Sequence, residues 1–372
     1  MSRPSDQTIL MTADTVGGVW TYASSLASSL AASGAHVCLV TMGPRPRADQ
    51  REMLSDAVEL IESDLALEWQ DPGGNDIPRA REFLREVERR VEPDAIHLNS
   101  YREASFDWHA PVAVVAHSCV NSWAVACNDE AFLSEPRWRH YTRQVAEGLA
   151  CAAAWVSPTQ AFADKICDLY RPRTAAIVVH NGTTTASEEL KEKKCLILAA
   201  GRMWDAAKNL AVLAEAAKDL DWPVLVAGTT AKSVEKLACG IELPGELSHA
   251  ELRAYMRQAA IFVSPARYEP FGLSVLEAAG HACALVLSDI PTFRELWDGA
   301  ALFVSPSDAI GLRNALSDLC DNPVKRTRLQ RAARARARRY SMKSMSDAYA
   351  LLYRELRHRR ATVNKNLTEV RA

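Results

Sequence analysis

A strand, glycine loop, helix and strand at the beginning of the chain constrain the fold more than any other feature. Strands are predicted over residues 7–12 and 36–41, and a helix with apolar residues at helical spacing over residues 19–33. The loop before the helix contains Gly17 and Gly18. A helix that connects two neighbouring strands makes them parallel, and ligands of parallel sheets bind beyond the carboxyl ends of the strands. The pattern predicts an α/β domain with a ligand over the glycine loop.

A histidine directly follows a later strand of this first half, at the same edge of the predicted sheet. Residues 112–116 form a continuous apolar run of the kind that is buried on both faces of a sheet, and His117 follows it directly. A single histidine is more often a structural residue than a ligand-binding one. Its position at the carboxyl end of a strand makes His117 a candidate site residue.

The α/β pattern begins again in the second half of the chain. A polar stretch at residues 183–194 is the best candidate for a linker, and strands over residues 195–200 and 223–227 then flank a helix over residues 210–220. A chain of 372 residues is long enough to bury two cores. We therefore expect an N-terminal Rossmann-like domain over residues 1–187 and a C-terminal one over residues 188–345.

Two basic residues, Arg202 and Lys208, flank the loop after the first strand of this second domain. The arginine guanidinium offers a bidentate fork for phosphate oxygens, whereas the lysine ammonium acts as a point charge. Such pairs are also common in solvated loops. Their position at a carboxyl strand end favours a site for a pyrophosphate.

The stretch E-P-F-G-L-S-V-L-E contains a carboxylate at each end, Glu269 and Glu277. It follows the apolar run at residues 261–263, so Glu269 is expected in a strand-to-helix loop and Glu277 about two turns into a helix over residues 273–279. Either glutamate alone is commonly a dipole partner or a solvated side chain. The backbone between the two glutamates supplies the further evidence that they belong to a binding site.

The start of that helix is a predicted anion site. The backbone N–H groups of Phe271, Gly272 and Leu273 would point into the loop without partners in the helix. Carboxylates repel phosphate, but they are strong acceptors for sugar hydroxyls. A ligand that carries both phosphates and hydroxyls fits this combination, and a nucleotide sugar is such a ligand.

Composition excludes several classes of protein. The net charge of −2 argues against nucleic acid as a partner. The nine cysteines are scattered without metal-binding spacing, which indicates reduced thiols and no zinc site. No apolar signal region and no membrane-length apolar window are present in the sequence, so we expect a cytoplasmic protein without a transmembrane segment.

A basic stretch at residues 323–345 has two interpretations. It contains nine lysine or arginine residues and no acidic residue. A basic amphipathic helix would make weak peripheral contact with anionic lipid, which suits an enzyme with a lipid-linked acceptor. The apolar face consists mostly of alanine, which is too small to insert, and this favours a solvated helix.

Taken together, these residues resemble retaining glycosyltransferases of family 4, which have the GT-B fold. The resemblance is carried by Gly17 and Gly18, by His117, by Arg202 with Lys208, and by the Glu-x7-Glu motif of residues 269–277. It covers nearly the whole chain. The fold that it implies has two Rossmann-like domains facing each other across a cleft, with a C-terminal helix over residues 346–372 that packs back on the first domain.

The resemblance also implies roles for individual residues. His117, Arg202, Lys208 and Glu269 would be the catalytic residues, with the two cations on the diphosphate and the other two on the transferred sugar. Glu277 would accept hydrogen bonds from the ribose, and Leu247 would lie against the base. The remaining donor-binding groups would be backbone at Gly17, Gly18, Phe271, Gly272 and Leu273.

The implied reaction moves a hexose from a nucleoside diphosphate sugar, with UDP-glucose as first choice, to a hydroxyl of a small molecule, glycan or lipid-linked acceptor. It would retain configuration and need neither metal nor cofactor, since fixed cations and helix N–H groups can stabilise the departing diphosphate. Arg202 and Lys208 are six residues apart, whereas five is commoner in the family. A nucleotide-sugar epimerase of the same fold and a non-catalytic nucleotide-sugar-binding protein are the alternatives.

Overall fold

The computed structural model describes residues 7–184, 192–228 and 240–371, with side chains up to residue 360. It divides into two compact units. The first comprises the chain up to Gly182 together with the segment from Met342 onwards, and the second is built mainly from Thr183–Ser341. Most of the predicted linker, residues 185–191, lies outside the described residues.

The first unit contains a seven-stranded sheet in the order β3-β2-β1-β4-β5-β6-β7, and every neighbouring pair is parallel. The strand order reverses at β1, which has β2 on one side and β4 on the other, and this is where parallel sheets open a crevice at their carboxyl ends. The strands are β1 (Thr8–Asp14), β2 (His36–Met42), β3 (Val58–Ile61), β4 (Ala95–Leu98), β5 (Val112–Val115), β6 (Ala154–Ser157) and β7 (Ile177–Val178).

Helices cover this sheet and close its core. They are α1 (Gly18–Ala32), α2 (Ala48–Arg51), α3 (Ile77–Val91), α4 (Val120–Cys127), α5 (Pro136–Cys151) and α6 (Gln160–Tyr170). The apolar spacing of residues 19–33 predicts α1. Residues 44–78 are rich in Pro, Asp and Gly, which predicts irregular structure, but the structure has α2 and β3 there. Strand β3 is a short edge strand that is mostly only half-buried, so its sequence lacks a clear apolar alternation.

The last helix, α13 (Met342–Arg371), belongs to the first unit although it follows the second in sequence. It packs on α1 and β4, and it buries Tyr349, Tyr353 and Leu356 there. The return of the C-terminal helix to the first domain, implied by the resemblance, is therefore observed.

The second unit contains a six-stranded sheet in the order β10-β9-β8-β11-β12-β13, again with parallel neighbours. Strands β8 and β11 are adjacent, so the loops that follow them emerge side by side. The strands are β8 (Lys194–Ala200), β9 (Val224–Ala227), β10 (Ile241–Gly245), β11 (Ala259–Ser264), β12 (Ala284–Ser288) and β13 (Ala301–Val304). The two parallel sheets confirm the predicted pair of α/β domains.

The helices in the described part of the second unit are α7 (Leu210–Ala217), α8 (His249–Gln258), α9 (Leu273–Gly280), α10 (Pro291–Trp297), α11 (Ala309–Asp321) and α12 (Pro323–Ala337). Helix α12 carries most of the basic stretch. Its residues Leu329, Ala333 and Ala337 are buried in the core of the second unit. These three apolar side chains pack inside the protein, which favours the interpretation as a solvated helix. Within the described part of the chain, no helix has the length and apolarity needed to cross a membrane.

Candidate functional site

The loop after β8 folds back over the end of that strand. Asp205 caps a single 3-10 turn over Ala206–Lys208, since its carboxylate accepts a hydrogen bond of 2.9 Å from the backbone N–H of Ala207. The turn ends at Lys208, six residues after Arg202. It directs the Lys208 stem over Gly201, where an added Cβ would lie 3.4 Å from the lysine Cδ and Cε atoms.

Asn209 ties this loop to two neighbouring loops. It adopts a left-handed backbone conformation with φ of 57°, which asparagine tolerates better than most residues. Its side-chain N–H group donates to the carbonyl oxygens of Pro265 at 2.8 Å and Pro306 at 2.7 Å. These bonds fix the loop after β8 against the loops after β11 and β13.

Lys208 and Glu269 meet across the two adjacent loops. The Lys208 Nζ atom lies 2.6 Å from Glu269 Oε2, and the side chains are 20% and 16% exposed. The Glu269 carbonyl accepts a 2.6 Å bond from the Thr292 hydroxyl at the start of α10, which fixes the backbone of the glutamate. The structure therefore brings together the predicted diphosphate lysine and the predicted sugar carboxylate.

Arg202 is the more exposed of the two predicted cations of this loop. Its side chain is 38% exposed, with one guanidinium nitrogen 3.4 Å from Asp205 Oδ2. The guanidinium also lies over the Trp204 ring, 5.5 Å from its centre, and Trp204 is itself exposed. Asp205 and Trp204 orient the fork while leaving it open to solvent.

The start of α9 is shaped by a glycine. Gly272 has a φ of 84°, and an added Cβ would lie 3.1 Å from Phe293 Cε1 and 3.3 Å from Glu269 Cγ. No side chain caps the helix. The Phe271 side chain is buried in the core, so only its backbone can face a ligand, while Leu273 is half-buried. The helix begins at Leu273, which places Glu277 little more than one turn into it instead of the expected two.

Glu277 is anchored by a histidine that sequence reasoning did not identify. His249 Nε2 lies 2.7 Å from Glu277 Oε1, and the glutamate side chain is only 10% exposed. The histidine is the first residue of α8, which begins in a capping box between Ser248 and Glu251. Leu247, two residues earlier, is half-buried against the same core. The capping-box pattern after β10 is the sequence signal that could have revealed His249.

Two side chains hold the glycine loop of the first unit in place through hydrogen bonds to its backbone. Gly17 has a φ of 83° and caps α1, which starts at Gly18, and both glycines are exposed. The Asp14 carboxylate accepts a 2.6 Å bond from the N–H of Val16, and the Gln50 side chain donates to the Thr15 carbonyl at 2.9 Å. The exposed backbone of the loop is thus held in place by the segment after β2.

His117 lies two residues beyond β5 and is half-buried. Its Nε2 atom lies 2.7 Å from Asn99 Oδ1, and its ring meets that of Tyr22 edge-on at 4.4 Å. Burial, together with the nearby His97, lowers the pKa of His117 to about 3. The imidazole is therefore neutral at physiological pH.

The predicted residues form one group in each unit. In the second unit, Arg202, Lys208, Glu269 and the start of α9 lie on neighbouring loops, with Glu277 and Leu247 next to α8. In the first unit, the glycine loop follows β1 and His117 follows β5, with β4 between these strands. Asn99, directly after β4, completes that edge and was not predicted as a site residue.

Comparison with known proteins gives relatives for both units. A family model described as "Glycosyltransferase Family 4" matches residues 16–187, and one described as "Glycosyl transferases group 1" matches residues 194–322. A glycogen synthase of Mycobacterium tuberculosis is 42% identical over 94 residues, which are 25% of this chain. The alignment spans only 23% of the synthase's own length.

Solved structures extend the likeness to nearly the whole chain. A sucrose-phosphate synthase from Thermosynechococcus elongatus superposes with a TM-score of 0.77 at 18% identity, over 94% of this chain and 99% of that one. Anabaena Alr3699/HepE, solved in complex with UDP and glucose, gives a TM-score of 0.70 at 15% identity, over 94% of this chain and 100% of that one. The fold is therefore GT-B. With one family model matching each unit, the chain belongs to the family 4-like glycosyltransferases.

Proposed function

We propose that this protein transfers a hexosyl group from a nucleoside diphosphate sugar to a hydroxyl acceptor, with retention of configuration and without a metal ion. The observation that carries the proposal is the contact between the loop after β8, which supplies Arg202 and Lys208, and the loop after β11, which supplies Glu269 and the start of α9. Cations, uncapped helix N–H groups and a carboxylate on adjacent loops suit a ligand with a phosphate end and a sugar end.

The phosphate end would be held by three kinds of donor. The Arg202 fork is exposed and oriented, the Lys208 ammonium lies on the same loop and pairs with Glu269 of the next one, and the uncapped N-terminus of α9 carries a partial positive charge. Negative charge builds up on the β-phosphate oxygen as the nucleoside diphosphate departs. Donors that are already in place stabilise this charge without having to reorganise.

The carboxylates would bind the hydroxyl groups of the ligand. Glu269, fixed through Thr292 and Lys208, would accept from hydroxyls of the transferred sugar. Glu277, fixed by His249, would accept from the ribose. His117 and the glycine loop would also contact the donor. The half-buried Leu247 offers the base an apolar contact.

In the reaction, the bond between the anomeric carbon and the β-phosphate oxygen breaks, and a bond to the acceptor oxygen forms on the same face. The acceptor proton passes to the departing phosphate, so no separate base is required. UDP-glucose is our first choice of donor, supported by the structural relative in complex with UDP and glucose. The acceptor would be a hydroxyl of a small molecule, a glycan or a lipid-linked sugar.

The first experiment that tests this proposal measures donor binding. Thermal shift with UDP-, GDP- and ADP-sugars should identify a stabilising donor, because a ligand that binds only the folded state raises its melting temperature. Donor turnover is then followed with and without EDTA. We expect release of the nucleoside diphosphate that survives EDTA and falls at least about 100-fold in Glu269→Gln, in line with the loss of one well-placed polar group.

Glu215→Gln is the matched control, since Glu215 is an exposed glutamate of α7 paired with Lys218. Formation of a new sugar nucleotide from donor alone would identify an epimerase. Binding without turnover, equal in Glu269→Gln and the native chain, would identify a binding protein. A strict metal requirement would overturn the metal-free mechanism.

A further inference from the structure

A chain of hydrogen bonds connects the last helix of the first unit to His117. Tyr353 Oη of α13 lies 2.6 Å from His97 Nδ1. His97 Nε2 lies 3.1 Å from Asn99 Oδ1, and the same oxygen lies 2.7 Å from His117 Nε2. Tyr353 and His97 are fully buried. One amide oxygen thus serves both histidines.

The strand β1 determines which way the Asn99 amide points. The Asn99 side-chain N–H group donates to the Thr12 carbonyl at 2.6 Å, and the Asn99 backbone N–H donates to the Thr12 hydroxyl at 3.1 Å. A flipped amide would place its oxygen against the Thr12 carbonyl oxygen, and two acceptors at that distance repel each other. The oxygen of Asn99 must therefore face the histidines.

This orientation assigns the protons of both imidazoles. Because Asn99 Oδ1 is only an acceptor, the Nε2 atoms of His97 and His117 must each carry a proton. Tyr22 Oη also lies 3.4 Å from His97 Nε2. If Tyr22 donated there, the unprotonated His97 Nε2 would face Asn99 Oδ1 as a second acceptor, which is unfavourable. His97 Nδ1 consequently accepts from Tyr353, and among the described residues His117 Nδ1 has no hydrogen-bond partner.

The surroundings keep both imidazoles uncharged. Burial lowers the pKa of His97 to about 4, as it lowers that of His117. The titratable side chains packed around the pair are Tyr22 of α1 and Tyr349 and Tyr353 of α13. Burial raises the pKa of each of these tyrosines, so they are neutral as well.

We propose that Asn99 is a positioning residue that holds His117 as the neutral Nε2–H tautomer, so that its Nδ1 atom serves the substrate as a hydrogen-bond acceptor. His97 and Tyr353 support this role. Tyr353 donates to His97 Nδ1, so that His97 Nε2–H donates to Asn99 Oδ1. In the proposed function, on which this inference rests, Nδ1 then takes a hydrogen bond from a hydroxyl of the transferred sugar. It donates nothing and carries no positive charge.

Nuclear magnetic resonance tests the tautomer without any assay of activity. Two-bond proton–nitrogen correlation of the full chain with 15N-labelled histidine distinguishes both tautomers and the imidazolium. The peaks of the two residues are assigned with His117→Gln and His97→Gln. We expect both histidines as neutral Nε2–H forms from pH 8 down to pH 6. His117 as the Nδ1–H tautomer, or as an imidazolium at pH 7, would overturn the proposal.

Asn99→Asp provides the kinetic test. A carboxylate at this position accepts from both histidines but favours the charged imidazolium, so the pKa of His117 should rise. We expect kcat/KM to fall about tenfold at pH 6 and to recover towards the native value at pH 8. Should the acid limb of the pH profile stay where it is in folded Asn99→Asp, the positioning role is wrong.

Tyr353→Phe keeps the proposal testable if Asn99→Asp does not fold. It removes the donor to His97 Nδ1, which should lower kcat several-fold and broaden the His117 peaks, with donor KM little changed. Tyr349→Phe is the control, because this buried tyrosine lies one turn earlier on α13 and makes no hydrogen bond to either histidine among the described residues. Equal effects of the two variants would contradict the proposal. If the native chain shows the expected tautomer but does not turn over the donor, the proposed function is wrong while the assigned tautomer stands.

Discussion

Lys208 Nζ lies 2.6 Å from Glu269 Oε2, and this ion pair joins the loops after β8 and β11. Both side chains are largely shielded from water, which strengthens the pair relative to an exposed one. A bound diphosphate would compete with Glu269 for the same ammonium group. The loops are thus held in position before any donor binds.

The first prediction concerns the strength of this pair. A double-mutant cycle with Lys208→Met and Glu269→Gln, measured by urea unfolding, should give a coupling free energy of about 1–2 kcal/mol, because each single change leaves a half-buried partner unpaired. Lys343 and Asp347 on α13 form an exposed pair for comparison, whose cycle should give about 0.5 kcal/mol or less. Similar coupling in the two cycles would contradict the shielding argument.

Arg202→Ala should weaken binding of donor and of free nucleoside diphosphate by the same factor. A charged, bidentate contact contributes about 1.5–3 kcal/mol, so the dissociation constants should rise roughly 10- to 100-fold in isothermal titration. Arg202→Lys keeps the charge but loses the fork, and it should recover only part of the affinity. Arg313→Ala is the control, because Arg313 is a partly exposed arginine like Arg202 and is paired with Asp219. Unchanged affinity in Arg202→Ala would rule out the diphosphate role.

Glu277→Gln should raise the donor KM about tenfold and leave kcat nearly unchanged, since a ribose contact is the same in the ground state and the transition state. His249→Ala should act in the same direction and more weakly, because it frees the carboxylate without removing it. Steady-state kinetics with saturating acceptor measure both effects. An unaltered KM in Glu277→Gln would remove this residue from the ribose site.

Gly272→Ala should damage both stability and donor binding. Alanine at a φ of 84° costs about 1–2 kcal/mol, and here its Cβ would also press on Phe293. Gly299→Ala is a matched control, with a φ of 77° and nothing within 4 Å of the added Cβ. Both variants should lose stability in thermal unfolding, with the larger loss in Gly272→Ala. Only Gly272→Ala should lose donor affinity, and equal affinity losses would argue against a ligand at the start of α9.

His97 and His117 should make stability fall in mild acid. Their folded-state pKa values, about 4 for His97 and about 3 for His117, lie below the unfolded value of 6.5. The unfolded chain therefore takes up protons first, and their contribution, present above pH 6.5, is lost as the pH falls towards 4. Each proton changes the free energy of unfolding by up to about 1.4 kcal/mol per pH unit. His117→Gln should flatten the slope between pH 6.5 and 4.5 in urea titrations, and an unchanged slope would contradict the lowered pKa.

Much of the fold could be predicted because buried parallel strands are nearly continuous apolar runs. The run before His117 and the run before Ser264 are both of this kind, and each is a strand in the structure. Edge strands have no such pattern. Strand β3 carries Glu59 towards solvent, so its segment was expected to be irregular.

The candidate site was predictable only where residue type and position agree. Arg202, Lys208 and Glu269 combine a charge with a carboxyl strand end, and the structure brings them onto adjacent loops. His249 and Asn99 were missed because their importance depends on partners far away in sequence, Glu277 in one case and His117 in the other. Single-sequence patterns contain periodicity and local turn chemistry, but not these long-range pairs.

The position of α13 has a consequence for the order in which the chain can fold during synthesis. The ribosome makes the strands of the first unit early, whereas Tyr349 and Tyr353, which fill part of that unit's core, emerge only after the whole second unit. The first unit therefore lacks part of its core packing while the second unit is being synthesised. A release of the nascent chain before residue 342 would expose the surfaces of α1 and β4 that α13 covers and would leave His97 Nδ1 without the Tyr353 hydroxyl.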